Sequence, residues 1–103
     1  MRVAVPHDLP VDAATQRVKE SIQKLRVQHS GYITHADESW DGNSAKLMLS
    51  LKAKGITISV AAEVSVNEHQ VVVEGKVPLL AWPAKGKIED MIRDNLQICL
   101  GGP

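Results

Sequence analysis

The stretch AKLMLSLKAKGITISVAAEVSVNEHQVVVEGKV, residues 45–77, decides how this chain folds. Its first nine positions place Ala45, Leu47, Leu49, Leu51 and Ala53 on one side and Lys46, Ser50 and Lys52 on the other, with Met48 the only exception. A period of two is the mark of a half-buried strand. Lys54 and Gly55 break the run, and the alternation resumes with Ile56, Ile58, Val60, Ala62, Val64 and Val66 against Thr57, Ser59, Ala61, Glu63 and Ser65. A turn expected at Asn67 and Glu68 leads into a third strand, where Val71, Val73, Gly75 and Val77 alternate with Gln70, Glu74 and Lys76.

Two-residue turns fix the partners across each hairpin. Turning at Lys54 and Gly55 sets Leu51 beside Ile58, Leu49 beside Val60 and Leu47 beside Ala62, with Lys46 opposite Glu63 on the other face. Turning at Asn67 and Glu68 sets Val64 beside Val71, Ala62 beside Val73 and Ile58 beside Val77. An earlier strand over residues 32–40 is expected to join through Asp41 and Gly42. It brings Tyr32, Ala36 and Trp40 to the apolar face together with Glu38, whose carboxylate suits that face only at a sheet edge.

Outside the strand block the period changes to that of a helix. From about Val11, the residues Ala14, Val18, Ile22 and Leu25 form one stripe, while Arg17, Lys19, Glu20 and Lys24 fall elsewhere. Pro10 suits the first turn, Asp12 complements the helix start, and Gly31 is expected to leave the helix in a left-handed conformation. A second stripe, Ile88, Met91, Ile92, Leu96 and Cys99, follows Pro83 and precedes Gly101 and Gly102. Residues 2–5 are β-prone until Pro6 and predict an edge strand. The order is therefore β-α-β-β-β-β-α: an α+β two-layer domain, with an antiparallel sheet of four to five strands and two amphipathic helices on one face.

The composition bounds what such a domain can do. At 103 residues, with 44% hydrophobic content, the chain fits one domain spanning residues 1–103. Twelve basic residues balance twelve acidic ones, and aromatic content is 3%, so neither the basic stripe nor the ring platform of a nucleic-acid binder is present. Arg17, Lys19, Lys24 and Arg26 are expected on the solvated face of the first helix. No apolar run approaches the ~20 residues that cross a bilayer, no signal-peptide pattern is found, and a lone cysteine closes no intramolecular disulfide, so the expected location is the cytoplasm.

The order of several short motifs resembles the polyhydroxyalkanoic acid system family, small bacterial proteins named after the gene regions of polyester storage granules. The features are Val5, Pro6, His7, Asp8 and Leu9 leading into Ala13, Ala14 and Arg17, then Trp40, Asp41 and Gly42. Gly55, the run Val77, Pro78, Leu79 and Leu80, and Gly86, Lys87, Ile88 and Glu89 followed by Ile92 and Leu96 complete them. The chain departs from the pattern at Trp82 and Pro83. The resemblance implies a link to polyhydroxyalkanoate granules or their proteins and a location at storage granules; none of the matching features is catalytic chemistry.

The reactive side chains add no chemistry of their own. Cys99 falls on the buried stripe of the second helix, where a thiol behaves as a small hydrophobe. His7, His29, His35 and His69 lack the spacing of zinc ligands, and His35 with Asp37 forms only a local pair, so neither metal nor cofactor is expected. Glu63 and Glu74 are expected to meet Lys46 and Lys76 as surface charge pairs rather than to serve as an acid and base. Apolar surface is what remains. Leu79, Leu80 and Trp82 lie between prolines, and with Trp40 and Tyr32 they are the candidate contacts for a granule or an acyl ligand. Met48, Ala61 and Val72 are expected to be neighbours on the polar sheet face, a patch that suits a dimer contact. The expected function is a non-catalytic accessory role in polyester storage; the alternatives are a carrier of a small hydrophobic ligand and a homodimeric interaction module.

Overall fold

The computed structural model describes residues 1–31, 33–53, 55–76 and 85–101, the side chain of residue 53 apart. Its elements are β1 (Arg2–Pro6), α1 (Val11–Gln28), β2 (Ile33–Asp41), β3 (Ser44–Ala53), β4 (Ile56–Val66), β5 (Gln70–Lys76) and α2 (Lys85–Gly101). All five strands form one antiparallel sheet in the order β1-β5-β4-β3-β2, so β1 and β2 are its edges. The α+β architecture and its element order are those the periodicities predict.

The β3–β4 hairpin has the expected register, with Leu51 opposite Ile58, Leu49 opposite Val60, Leu47 opposite Ala62 and Lys46 opposite Glu63. Gly55 supplies the turn with a φ of 80° that only glycine adopts freely. The other two hairpins each turn one residue later than expected. Asp41 pairs with Ser44, so Gly42 and Asn43 make the β2–β3 turn. Val66 pairs with Val71, Val64 with Val73 and Ala62 with Gly75, so the β4–β5 turn is made by Glu68 and His69. Asn67 is the reason: its Oδ1 accepts the His69 and Gln70 amides at 2.9 and 2.8 Å, and its own amide donates to the Gln70 carbonyl. Moving a turn by one residue slips the register by two, and a period of two keeps the side chains beside these turns on their predicted faces.

Three further expectations are corrected. A register shift between Ile33 and His35 turns Ile33 into the core, whereas strict alternation with Ala36 places it on the other face. Helix α1 ends at His29, whose φ is −117°, and Gly31 does not take the left-handed conformation. Pro10 stands just before the first helical residue, and its carbonyl accepts the Ala14 amide.

Both helices cover one face of the sheet. One core cluster joins Val3, Val5, Val64, Val66, Val71 and Val73 to Ala14, Val18, Leu96 and Leu100. A second joins Leu49, Leu51 and Val60 to Leu25, Ile33 and Ile88. Burying each such side chain stabilises the fold by about 1.5–3 kcal/mol before entropy is counted. The helices run side by side in opposite directions, because Arg17 meets Cys99 while Ser21 meets Asn95.

Candidate functional site

Between the sheet and the helices lies a cavity of about 60 Å³, partly open to solvent. Helix α1 contributes Val18, Ile22 and Leu25, and α2 contributes Ile88, Met91 and Leu96. The floor is the alternating face of β3 and β4, with Leu47, Leu49 and Val60 among its residues. The polar residues around it are Ser21, Asn95 and Arg26. Asn95 Nδ2 donates to both the Ser21 carbonyl and the Ser21 hydroxyl, at 2.8 and 2.7 Å, which ties the helices together along the seam above the cavity. Ser21 is only 3% exposed, a burial hidden in the sequence because serine breaks the apolar stripe.

Trp40 is the one predicted contact residue within the described residues; Tyr32, Leu79, Leu80 and Trp82 lie outside them. It sits half-buried on the core face of edge strand β2, packed against the first cluster, with the Lys19 ammonium 5.1 Å from its ring centroid. That cation–π contact takes Lys19 off the solvated helix face assigned to it. Glu38, two residues earlier on the same face, also stands at the edge, where the sequence requires it. Glu38 Oε2 and Trp40 Nε1 are both buried, and neither meets a hydrogen-bond partner.

The opposite sheet face is polar and carries a wider groove of about 800 Å³. Arg2, Glu74, Glu63, Lys46 and Ser39 form one row across its five strands. The register therefore sets Glu63 directly against Glu74 and gives Glu74 an ion pair with Arg2 at 3.7 Å, rather than the contact with Lys76 that the sequence suggests. Met48 faces Ala61, but Val72 lies opposite Ala4 and Ser65, so the expected three-residue patch is reduced to two. His35 Nε2 and Asp37 Oδ2 approach to 2.7 Å on the exposed side of β2 and occupy each other. Among the described residues no group of three or more His, Cys, Asp or Glu converges on a metal position, and no helix is long and apolar enough to cross a membrane.

The family model described as "Putative polyhydroxyalkanoic acid system protein" matches residues 1–100. The chain belongs to this family. The resemblance carried by Trp40, Asp41 and Gly42 and by the Ile88, Ile92 and Leu96 stripe is thereby confirmed, and with it an association with the polyhydroxyalkanoic acid system. No curated protein matches the chain. Among solved structures, TTHA0849 from Thermus thermophilus is similar at 11% identity and a TM-score of 0.39, over 99% of this chain and 92% of that one.

Proposed function

We propose that this family member is a non-catalytic accessory protein of polyhydroxyalkanoate storage, and that it takes a hydrophobic acyl chain between its helices and its sheet. The apolar cavity carries this reading. Alkyl groups leaving water gain about 0.8 kcal/mol per buried methylene, and a site without strong polar demands accepts such a chain whatever its length. A volume of about 60 Å³ admits the end of a short chain. A longer one enters as α1 and α2 move apart from each other, a motion resisted at the Ser21–Asn95 and Arg17–Cys99 contacts.

The test is calorimetric titration with methyl octanoate, beside an Ala62→Leu variant that fills the cavity floor. Saturable binding to the wild type, weakened at least tenfold in a folded variant, supports the reading. Failure of the wild type to bind any acyl ester or acid overturns it.

A second reading, docking on the granule surface itself, is favoured by one observation. Val27 and Ile56 are 76% and 52% exposed, each two residues along the chain from a side chain of the second core cluster or packed on it, Leu25 and Ile58. Salt-resistant co-sedimentation with protein-stripped granules, lost in Ile56→Ser and in Trp82→Ser, would favour docking over chain binding.

A further inference from the structure

The cavity between the sheet and the helices has one unanswered charge in its wall. Among the described residues that line it, Arg26 carries the only charged side chain. Ser21 and Asn95, the other polar side chains there, answer each other across the helix seam. The Met1 ammonium, also in the lining, donates to the Gly75 carbonyl at 2.9 Å. The Arg26 side chain has no such engagement: among the described residues it makes neither an ion pair nor a hydrogen bond.

Its place follows from the helix. Arg26 stands in the last turn of α1, next to Leu25, which is buried in the second core cluster, while Arg26 itself is exposed. An arginine that is exposed and yet lines an apolar cavity lays its aliphatic stem along the wall and keeps the guanidinium in water, which puts the charge at the mouth. From Val18 to Arg26 the α1 wall is about 12 Å long, apolar through Ile22 and Leu25 and cationic at its last residue. The helix dipole alone favours a cation at this end, but it does not require that cation to line the cavity.

A ligand that fits such a wall is apolar along its length and anionic at its head. An ester or thioester is neutral and gains little from a guanidinium, and an amine is repelled by it. A carboxylate matches it in charge and in shape, because the planar fork donates two parallel hydrogen bonds to the two carboxylate oxygens. A carboxylate taken wholly into the cavity would lose its water without a partner, whereas one held at the mouth keeps both.

We infer that Arg26 is the head-group residue of the cavity, so that the acyl ligand it takes is a free alkyl carboxylate rather than an ester. This rests on the acyl-binding reading above and names its ligand class. The carboxylate accepts from the Arg26 guanidinium, and the alkyl tail runs toward Val18 between the layers.

The experiment titrates octanoate and methyl octanoate at neutral pH into the wild type, Arg26→Gln and Arg26→Glu. Both substitutions fall on an exposed position, so the fold is kept while the charge is removed or reversed. Octanoate binding should weaken about fivefold in Arg26→Gln, the worth of a good solvent-exposed ion pair, and further in Arg26→Glu. Methyl octanoate affinity should stay within about twofold throughout. Octanoate affinity that is the same in all three proteins would overturn the inference and leave the acyl-binding reading standing. Equal weakening of acid and ester would make Arg26 part of the wall rather than a head-group residue, and also overturn it, as would binding of the ester without the acid. Binding of neither ligand would remove the reading on which the inference rests, and the inference with it.

Discussion

Arg17 of α1 donates from Nη1 to the backbone carbonyl of Cys99, 2.9 Å away in the last turn of α2. The residue that would ordinarily satisfy this carbonyl stands four further along the chain, and it is Pro103, which has no N–H to give. A guanidinium there answers both the open carbonyl and the negative end of the helix dipole. Periodicity places Arg17 off the apolar stripe, and so among solvated residues. Its reach across to the neighbouring helix is tertiary and leaves no trace in spacing.

Replacing Arg17 by methionine keeps most of the aliphatic stem and removes the donor. The expected loss is about 1 kcal/mol, below the roughly 1.5–3 kcal/mol of a charged hydrogen bond because the group is only half-buried. Arg17→Lys should recover little of it, since one ammonium on a flexible stem does not reproduce the planar fork. Urea denaturation of the three proteins checks this; a methionine variant as stable as the wild type would show that the contact contributes nothing.

The Ser21–Asn95 contact is expected to behave as a coupled pair. Asn95→Ala withdraws two donors from Ser21 and should cost about 1–2 kcal/mol, whereas Ser21→Ala should cost about 1 kcal/mol. In the double variant the losses should fall short of additivity by about 0.5–1 kcal/mol, because the second substitution removes a partner already lost. Strict additivity in thermal or chemical unfolding would mean that the two side chains do not meet in solution.

Gly75 and Gly31 offer a contrast between space and sequence. A Cβ on Gly75 would stand 2.8 Å from the Ala61 carbonyl oxygen and 3.2 Å from Ala62 Cβ, both on the neighbouring strand. The first is a backbone atom held in the ladder and cannot yield, so Gly75→Ala should destabilise by about 1–3 kcal/mol, the range of an overpacked core. Gly31 has nothing within 4 Å of the same position and no left-handed φ, so Gly31→Ala should be within about 0.5 kcal/mol of the wild type. The reverse order of melting temperatures would contradict the ladder geometry.

Which parts of this molecule are legible in the sequence follows from how each part is encoded. Faces of strands and helices depend on local period, and Leu47, Leu49, Val60 and Ala62 therefore lie where alternation puts them. Turn positions depend on single hydrogen bonds, and Asn67 shifts its hairpin by accepting two amides that no composition rule anticipates. The site divides in the same way. Trp40 is visible as an aromatic residue on an edge strand, and Glu38 as a carboxylate on the wrong face. That both bury a polar atom without a partner is set by tertiary packing, which local period does not carry. Ser21, Asn95 and Arg17 are invisible for a related reason: each looks solvated until the second helix is laid beside the first.

His7 closes one end of the β1–β5 pair, next to Pro6 and Gln70. Its backbone amide donates to the His69 carbonyl, its Nε2 donates to the Asn67 carbonyl at 2.7 Å, and its Nδ1 accepts the Leu9 amide at 3.1 Å. The ring is buried and uses both nitrogens, one as donor and one as acceptor, which is the pattern of a single neutral tautomer. It joins the entry to α1 with the β4–β5 turn that Asn67 has already shaped. His7→Leu fills the space but leaves the Asn67 carbonyl and the Leu9 amide without partners, and about 2 kcal/mol of stability should go with them. His7→Gln, whose amide carries a donor and an acceptor, should retain part of that amount. Hydrogen exchange distinguishes this from a general loss of core packing: the Leu9 amide should lose protection in His7→Leu well before the central amides of β3 and β4. Uniform loss of protection across the sheet would mean that His7 contributes bulk rather than its two hydrogen bonds.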